Sequence, residues 1–121
     1  MSSNRRNATS EDLKNDVLAK IQHYAENGFP EALAIHKLIM QASPNLAPRL
    51  WYGMPGYAKT KDSAVLCFFR KDELISFGVT ESTNLKALAR GLSAFPSAWY
   101  ITKLDKQAED IILQAVTAIS E

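Results

Sequence analysis

The sequence predicts an α+β fold with an N-terminal helical hairpin, a mostly antiparallel sheet of about four strands, and a C-terminal helix packed on the sheet. Near both ends of the chain, apolar residues recur at three- and four-residue spacing, which is typical of helices with one buried face. Between these segments lie two apolar runs separated by a short polar turn, a pattern typical of an antiparallel hairpin. Helices, then strands, then a helix favour α+β over a doubly wound parallel sheet.

The first two predicted helices have matching start and stop signals. Thr9 or Ser10 can accept hydrogen bonds from the free N–H groups of the first helix, and Gly28 can end it. Pro30 suits the first turn of the second helix, which ends before Pro44. The apolar positions are Leu13, Val17, Leu18, Ile21, Tyr24 and Ala25 in the first helix and Ala32, Ile35, Leu38, Ile39 and Ala42 in the second.

Three strands are expected in the middle of the chain. The first covers residues 49–54 and runs into a turn at Pro55 and Gly56. Residues 65–70 and 74–79 form a hairpin with a short polar loop. The strand over 65–70 is apolar on both faces, so helices or a second copy of the chain must cover both. Its side chains are expected to alternate, with Val65, Cys67 and Phe69 on one face and Leu66 and Phe68 on the other.

The C-terminal part is expected to add a helix, a strand and a helix. Thr83 or Asn84 can cap a short helix that carries Leu85, Leu88 and Leu92 and ends near Gly91. Residues 99–102 form the last strand. Asp105 can cap the final helix, whose buried face is formed by Ala108, Ile111, Ile112, Ala115, Val116 and Ile119.

Length and composition indicate one globular domain over residues 9–121, after a disordered tail at residues 1–8. The 121 residues are 46% hydrophobic, which is too apolar for a disordered chain of net charge +1. This small net charge would not attract phosphate backbones, so nucleic acid is not an expected partner. The longest apolar run covers residues 64–69, whereas a membrane-spanning helix needs about 20 residues. A single cysteine and no signal-peptide pattern favour the cytoplasm.

Residues 52–57 (YGMPGY) resemble the YGMPxY signature of the YdhG-like family, small bacterial proteins with a domain of unknown function. The hairpin CFF…LISFG and the late segments SAW and ITKLD also resemble the family, so the similarity covers most of the chain from about Leu33. It implies an α+β fold. One branch is described as a frataxin-like intracellular iron chaperone for iron–sulfur or haem assembly. At Leu74 the chain departs from the many relatives that carry a histidine.

The aromatic segment at residues 52–57 is the predicted ligand or partner site. Its glycines and proline let the backbone turn sharply and present aromatic rings around a concave site. The alternative is that these residues shape the end of a strand and join the core. The predicted site residues are Tyr52, Gly53, Met54, Pro55, Tyr57 and Trp99.

An iron carrier would need clustered oxygen ligands, and Glu11, Asp12 and Asp16 on the first helix are the candidates. The alternative is a solvated helix face that matches the helix dipole. His23 and His36 do not show metal-ligand spacing, and Cys67 is expected in the core. The cations Lys59, Lys61, Arg70 and Lys71 form either an anion-attracting patch or a solvated cluster.

No catalytic serine motif, P-loop or dinucleotide fingerprint occurs in the sequence, so no enzyme is indicated. We expect a non-enzymatic module that binds a small ligand or a protein, without a resident cofactor. The alternatives are a frataxin-like carrier with weakly bound iron and an enzyme of unknown reaction. In that enzyme, Tyr52, Tyr57 and nearby lysines would be the acid–base groups. A homodimer would cover the second face of the sheet.

Overall fold

The computed structural model describes residues 7–120 and has the expected α+β class. Residues 1–6 of the predicted disordered tail lie outside the described residues. Helices cover one face of an antiparallel sheet in which the strands follow one another in the order β1-β2-β3-β4-β5. The elements are α1 (Ser10–Glu26), α2 (Ala32–Ala42), β1 (Ala47–Trp51), β2 (Met54–Ala58), β3 (Val65–Lys71), β4 (Ile75–Val79), α3 (Leu85–Ala89), β5 (Ala98–Ile101) and α4 (Lys106–Ile119).

The sheet has five strands because the predicted first strand is in fact a hairpin. The chain turns at Tyr52 and Gly53, whose φ angles are 51° and 77°. A two-residue hairpin turn of type I′ requires positive φ at both central positions, which glycine adopts readily. The predicted turn at Pro55 and Gly56 is therefore wrong, and both residues lie inside β2. Pairing of β2 with β3 begins at Gly56, one residue after the proline that has no N–H to donate.

Side chains cap three of the helices at the positions that the sequence predicted. Thr9 and Asp12 form a capping box at the start of α1, in which each side chain bonds the backbone N–H of the other. Asn84 accepts from the backbone of α3, and Asp105 accepts from Ala108 N of α4 at 3.0 Å. Helix α3 ends at Ala89, so it is shorter than predicted.

The core lies between the helices and one face of the sheet. Helix α1 packs on β1 and β2, and α2 packs on α4. Tyr57, Phe69 and Phe77 come from three neighbouring strands, and each is 0% exposed. The helices contribute Val17, Ile21, Ile35, Ile39, Ile112, Val116 and Ile119 to the same cluster.

A bulge in β3 changes the expected alternation at the start of that strand. Tyr57 pairs with Cys67 but Ala58 pairs with Val65, which leaves Leu66 as an extra residue. Leu66 belongs to the core cluster, whereas Val65 lies close to Gly56 on the other face. The expected placement of Val65 and Leu66 is therefore wrong. From Cys67 onward the strand alternates as predicted.

Among residues 7–120, no helix is both long enough and apolar enough to cross a membrane.

Candidate ligand site on the open face of the sheet

The face of the sheet opposite the helices carries a cavity of about 340 Å³. All its lining residues belong to strands. We call this surface the open face. It is formed by Trp51, Met54, Phe68, Arg70, Ser76, Ala98 and Tyr100, and Trp99 also borders the cavity.

Small residues around Phe68 make this face concave. Phe68 pairs with Gly56 on one side and with Gly78 on the other. A Cβ atom added at Gly78 would lie 2.7 Å from Cζ of Phe68, so the phenyl ring rests directly on this glycine. Ala98 pairs with Gly78 and continues the row of small residues. The floor of the cavity is therefore lower than the bulky side chains of β1 and β5 that lie on either side of it.

Aromatic rings line the β1 side of the cavity. The ring centroids of Trp51 and Phe68 are 5.0 Å apart, and Tyr52 meets Trp51 edge-on at 4.7 Å. A Cβ atom at Gly56 would lie 2.9 Å from Cβ of Trp51, so glycine is needed for this close approach. Trp51 and Phe68 form the aromatic wall and floor of the cavity, and both side chains are half-buried.

Three polar residues on neighbouring strands form a row across the sheet at one end of the cavity. Arg70 pairs with Ser76, and Ser76 pairs with Tyr100, so the three side chains stand next to one another on the same face. We call them the polar row. A second cavity of about 320 Å³ shares the polar row and is also lined by Asp72, Glu73 and Leu74. The polar row therefore lies where the two cavities meet.

The structure separates the predicted site residues. Met54 and Trp99 border the 340 Å³ cavity, whereas Tyr52 lies in the adjoining turn and is 85% exposed. Gly53 shares this turn, and Pro55 is buried within β2. Tyr57 is fully buried on the helix-covered face.

Trp99 is half-buried and borders a cavity on each face of the sheet. Its ring stacks on Phe77 at a centroid distance of 5.8 Å, which ties it to the helix-covered face. It also lines a cavity of about 190 Å³ with Leu88 of α3 and Ile111 of α4. Trp99 therefore borders the open face without forming its floor.

Sequence reasoning missed Trp51, Phe68, Arg70 and Ser76 as members of one site. The alternation of side chains along β3 could have indicated part of this site, because Phe68 and Arg70 point away from Cys67 and Phe69. Their neighbours on β1, β4 and β5 depend on the register between strands, which no local pattern provides.

Tyr57 and His36 form a buried polar pair. The Tyr57 hydroxyl and Nδ1 of His36 share a hydrogen bond of 2.8 Å. Burial raises the pKa of Tyr57 well above its ordinary value. Burial also lowers the pKa of His36, and the charges of Lys14 and Lys37 lower it further. Both groups are therefore neutral near pH 7, and their contact is part of the core rather than an accessible acid–base site.

Among the described residues, the acidic side chains of α1 are not part of a candidate metal site. Asp12 Oδ2 accepts the backbone N–H of Thr9 at 3.0 Å as part of the helix cap. Within residues 7–120, no group of three or more His, Cys, Asp or Glu side chains is arranged to hold a metal ion. Glu11, Asp12 and Asp16 lie within this range, so they are not part of such a group. The frataxin-like iron carriage implied by the family resemblance stays a prediction.

Three of the four cations that the sequence placed near the aromatic loop have separate contacts. Lys61 pairs with Asp62 at 3.3 Å, and Arg70 pairs with Asp72 at 3.5 Å. Lys71 donates to the carbonyl oxygen of Gly28 and lies over the Phe29 ring. Of the four, Arg70 alone lines the 340 Å³ cavity.

Cys67 lies in the core, as expected from the sequence. It is 0% exposed, and burial raises the pKa of its thiol. The thiolate, which is the reactive form, is therefore strongly disfavoured in the folded protein.

Comparisons of the chain with protein-family models, with curated proteins and with solved structures gave no match. The resemblance to the YdhG-like family therefore stays a prediction.

Proposed function

We propose that this protein is a non-enzymatic binding module that holds a small organic ligand in the open-face cavity. One observation carries the proposal: aromatic residues of β1, β3 and β5 surround a cavity of about 340 Å³. Ligand sites in proteins have volumes of roughly 300–1,000 Å³ and are mostly apolar, with a few polar groups that fix orientation. Trp51, Phe68 and Tyr100 supply the apolar lining, and the polar row supplies the orienting groups.

The chemistry of the lining supports binding rather than catalysis. The residues that line this cavity include neither a carboxylate, an imidazole nor a thiol. A guanidinium has no acceptor atom, so Arg70 cannot act as a general base. Ser76 has no partner base in the lining that could activate its hydroxyl. The groups present can stack on a ring and donate hydrogen bonds.

A small ligand also matches the shape of the surface better than a second copy does. A two-fold dimer through the open face would place the same concave patch against itself. Two facing depressions would enclose a void, whereas interfaces are packed to the density of protein interiors. A homodimer through this face is therefore the less favoured occupant.

The direct test is a titration followed by amide ¹H–¹⁵N NMR, with 2-naphthamide as a neutral planar probe. We expect saturable shifts at the amides of Trp51, Phe68 and Tyr100. Trp51→Ala should weaken binding by about tenfold, because stacking and burial of the ring are lost. The control is Leu33→Ala on α2, which removes an apolar side chain that is 42% exposed away from the cavity.

A second variant keeps the proposal testable if Trp51→Ala does not fold. Ala98→Leu adds volume to the open face at an exposed residue and should block the probe while the unfolding free energy stays within about 0.5 kcal/mol of wild type. Non-saturable shifts in the wild type with both 2-naphthamide and its carboxylate analogue 2-naphthoate, or equal affinity in Ala98→Leu, would refute the proposal. Light scattering that shows a dimer dissociated by Ala98→Leu would instead assign the face to a second copy.

A further inference from the structure

We infer that the ligand of the open face is an anion: a planar apolar ring system that carries a carboxylate, with the carboxylate on the polar row Arg70–Ser76–Tyr100. This inference rests on the proposed function and adds the chemical class of the ligand. It follows from which charges line the cavity and from how the strands align the three donors.

The sign of the charge follows from the lining of the 340 Å³ cavity. Arg70 is its single charged residue. The acidic side chains Asp72 and Glu73 line the second cavity, on the far side of the polar row. A negative group is therefore favoured on the aromatic side of Arg70 and disfavoured on the acidic side. This asymmetry places the ring of the ligand against Trp51 and Phe68.

The register of three strands aligns the donors. Arg70, Ser76 and Tyr100 are direct cross-strand neighbours, and side chains in such pairs have Cβ atoms about 4.5–5.5 Å apart. A guanidinium offers paired N–H groups that match the two oxygens of a carboxylate. The two hydroxyls can each donate one further bond. The row therefore presents donors to one side of the cavity.

Arg70 is available for this role despite its contact with Asp72. Its Nε lies 3.5 Å from Oδ2 of Asp72, and the two side chains are 51% and 73% exposed. An exposed pair of this kind contributes little to stability, because water screens it and both side chains lose mobility. The contact with Asp72 is made through Nε, which is not one of the two terminal nitrogens of the guanidinium. A ligand carboxylate can therefore pair with them without breaking a strong contact.

The size of the cavity limits the ring system. A volume of about 340 Å³ lies near the lower end of the roughly 300–1,000 Å³ that ligand pockets in proteins have. A fused bicyclic aromatic acid fills such a space while leaving its carboxylate at the edge. We therefore use 2-naphthoate as the probe and 2-naphthamide as its neutral partner of nearly the same shape.

The experiment measures the affinity of both probes by NMR titration for wild type and for Arg70→Gln. We expect 2-naphthoate to bind the wild type about tenfold or more tightly than 2-naphthamide, because its hydrogen bonds to Arg70 are charge-assisted. Arg70→Gln should remove this difference by lowering the affinity for 2-naphthoate far more than the affinity for 2-naphthamide. Arg70→Lys should keep part of it, because a single ammonium lacks the paired geometry.

The matched control is Lys71→Gln, which removes the same unit charge from the next residue. The Lys71 ammonium contacts Gly28 and Phe29 and does not line the open-face cavity. An equal loss of 2-naphthoate binding in both variants would show that the effect depends only on the net charge of the protein. That result would overturn the inference.

The outcomes also separate this inference from the proposed function. Binding of neither probe would refute the proposed function. Equal binding of both probes, unchanged in Arg70→Gln, would overturn the anion assignment and leave the cavity as a neutral ligand site. Ser76→Ala and Tyr100→Phe should each weaken 2-naphthoate by a few-fold, and unchanged affinity in both would contradict the row as the carboxylate site.

Discussion

The two faces of the sheet have opposite properties although the same strands build them. On the helix-covered face, Tyr57, Phe69 and Phe77 are 0% exposed. On the open face, Phe68 remains half-buried and Tyr100 is 79% exposed. Adjacent residues of one strand thus serve different purposes: Phe69 contributes to the stability of the fold, and Phe68 to the shape of a cavity. Stability and binding should therefore be separable by mutation.

The largest expected effect is a contrast between neighbouring phenylalanines of β3. Phe69→Ala should lower the unfolding free energy by about 3–5 kcal/mol, because it leaves a cavity in the packed core. Phe68→Ala should lower it by about 1 kcal/mol, because the ring is only half-buried. Urea unfolding of both variants measures the contrast. Equal losses would mean that the open face is as tightly packed as the core.

The buried pair of Tyr57 and His36 should show the next largest effect. Tyr57→Phe removes the hydroxyl that bonds Nδ1 of His36, so a buried polar atom loses its partner at a cost of about 1–3 kcal/mol. Tyr52→Phe is the matched control, since Tyr52 is 85% exposed and should tolerate the change. The double variant Tyr57→Phe/His36→Leu should recover part of the loss. A Tyr57→Phe protein as stable as wild type would show that the bond contributes nothing.

Acid should weaken the helix-covered face through His36. Its pKa is lowered in the folded state by burial, with smaller contributions from Lys14 and Lys37. Below the ordinary histidine pKa of 6.5 the unfolded chain binds a proton that the folded chain resists. Stability should therefore be fully present above this value and fall as the pH drops below it.

Urea unfolding between about pH 5 and about pH 8 measures this slope. His36→Leu should flatten it. A slope that persists in His36→Leu would assign the effect to other groups.

The smallest expected change in stability comes from Gly78→Ala. The new methyl group would meet the Phe68 ring at 2.7 Å, so the ring must move into the cavity. We expect a loss of about 1 kcal/mol together with weaker binding of 2-naphthamide. Gly91→Ala is the control: its φ of 78° strains alanine by a similar amount, but nothing lies within 4 Å of the new methyl. Unchanged binding in Gly78→Ala would show that Phe68 does not shape the site.

The caps show how far local sequence can predict this structure. Thr9 and Asp105 cap α1 and α4 as predicted, because an N-cap bond needs only residues three apart. The Pro55–Gly56 pair shows the limit. It is typical of a turn, but the chain turns instead at Tyr52–Gly53, where the register of β1 and β2 places the hairpin loop.

The predicted site was only partly assembled by the fold. Met54 and Trp99 border the cavity, but Tyr57, three residues after Met54 in the same short strand, faces the core. Residues an odd number apart in a strand point to opposite faces, so the aromatic segment could not form one surface. Recognising residues 52–53 as a hairpin turn and residues 54–57 as part of a strand would have separated them.

The α+β class, the helices with their apolar faces and caps, and the β3–β4 hairpin can all be predicted from the sequence, because spacing and end signals are local. The folded structure was needed to show which face the helices cover, where the β3 bulge lies, and that Trp51, Phe68 and the polar row share one cavity. These features depend on register and packing between segments far apart in the chain. A single residue's shift in pairing would move each side chain to the other face of the sheet.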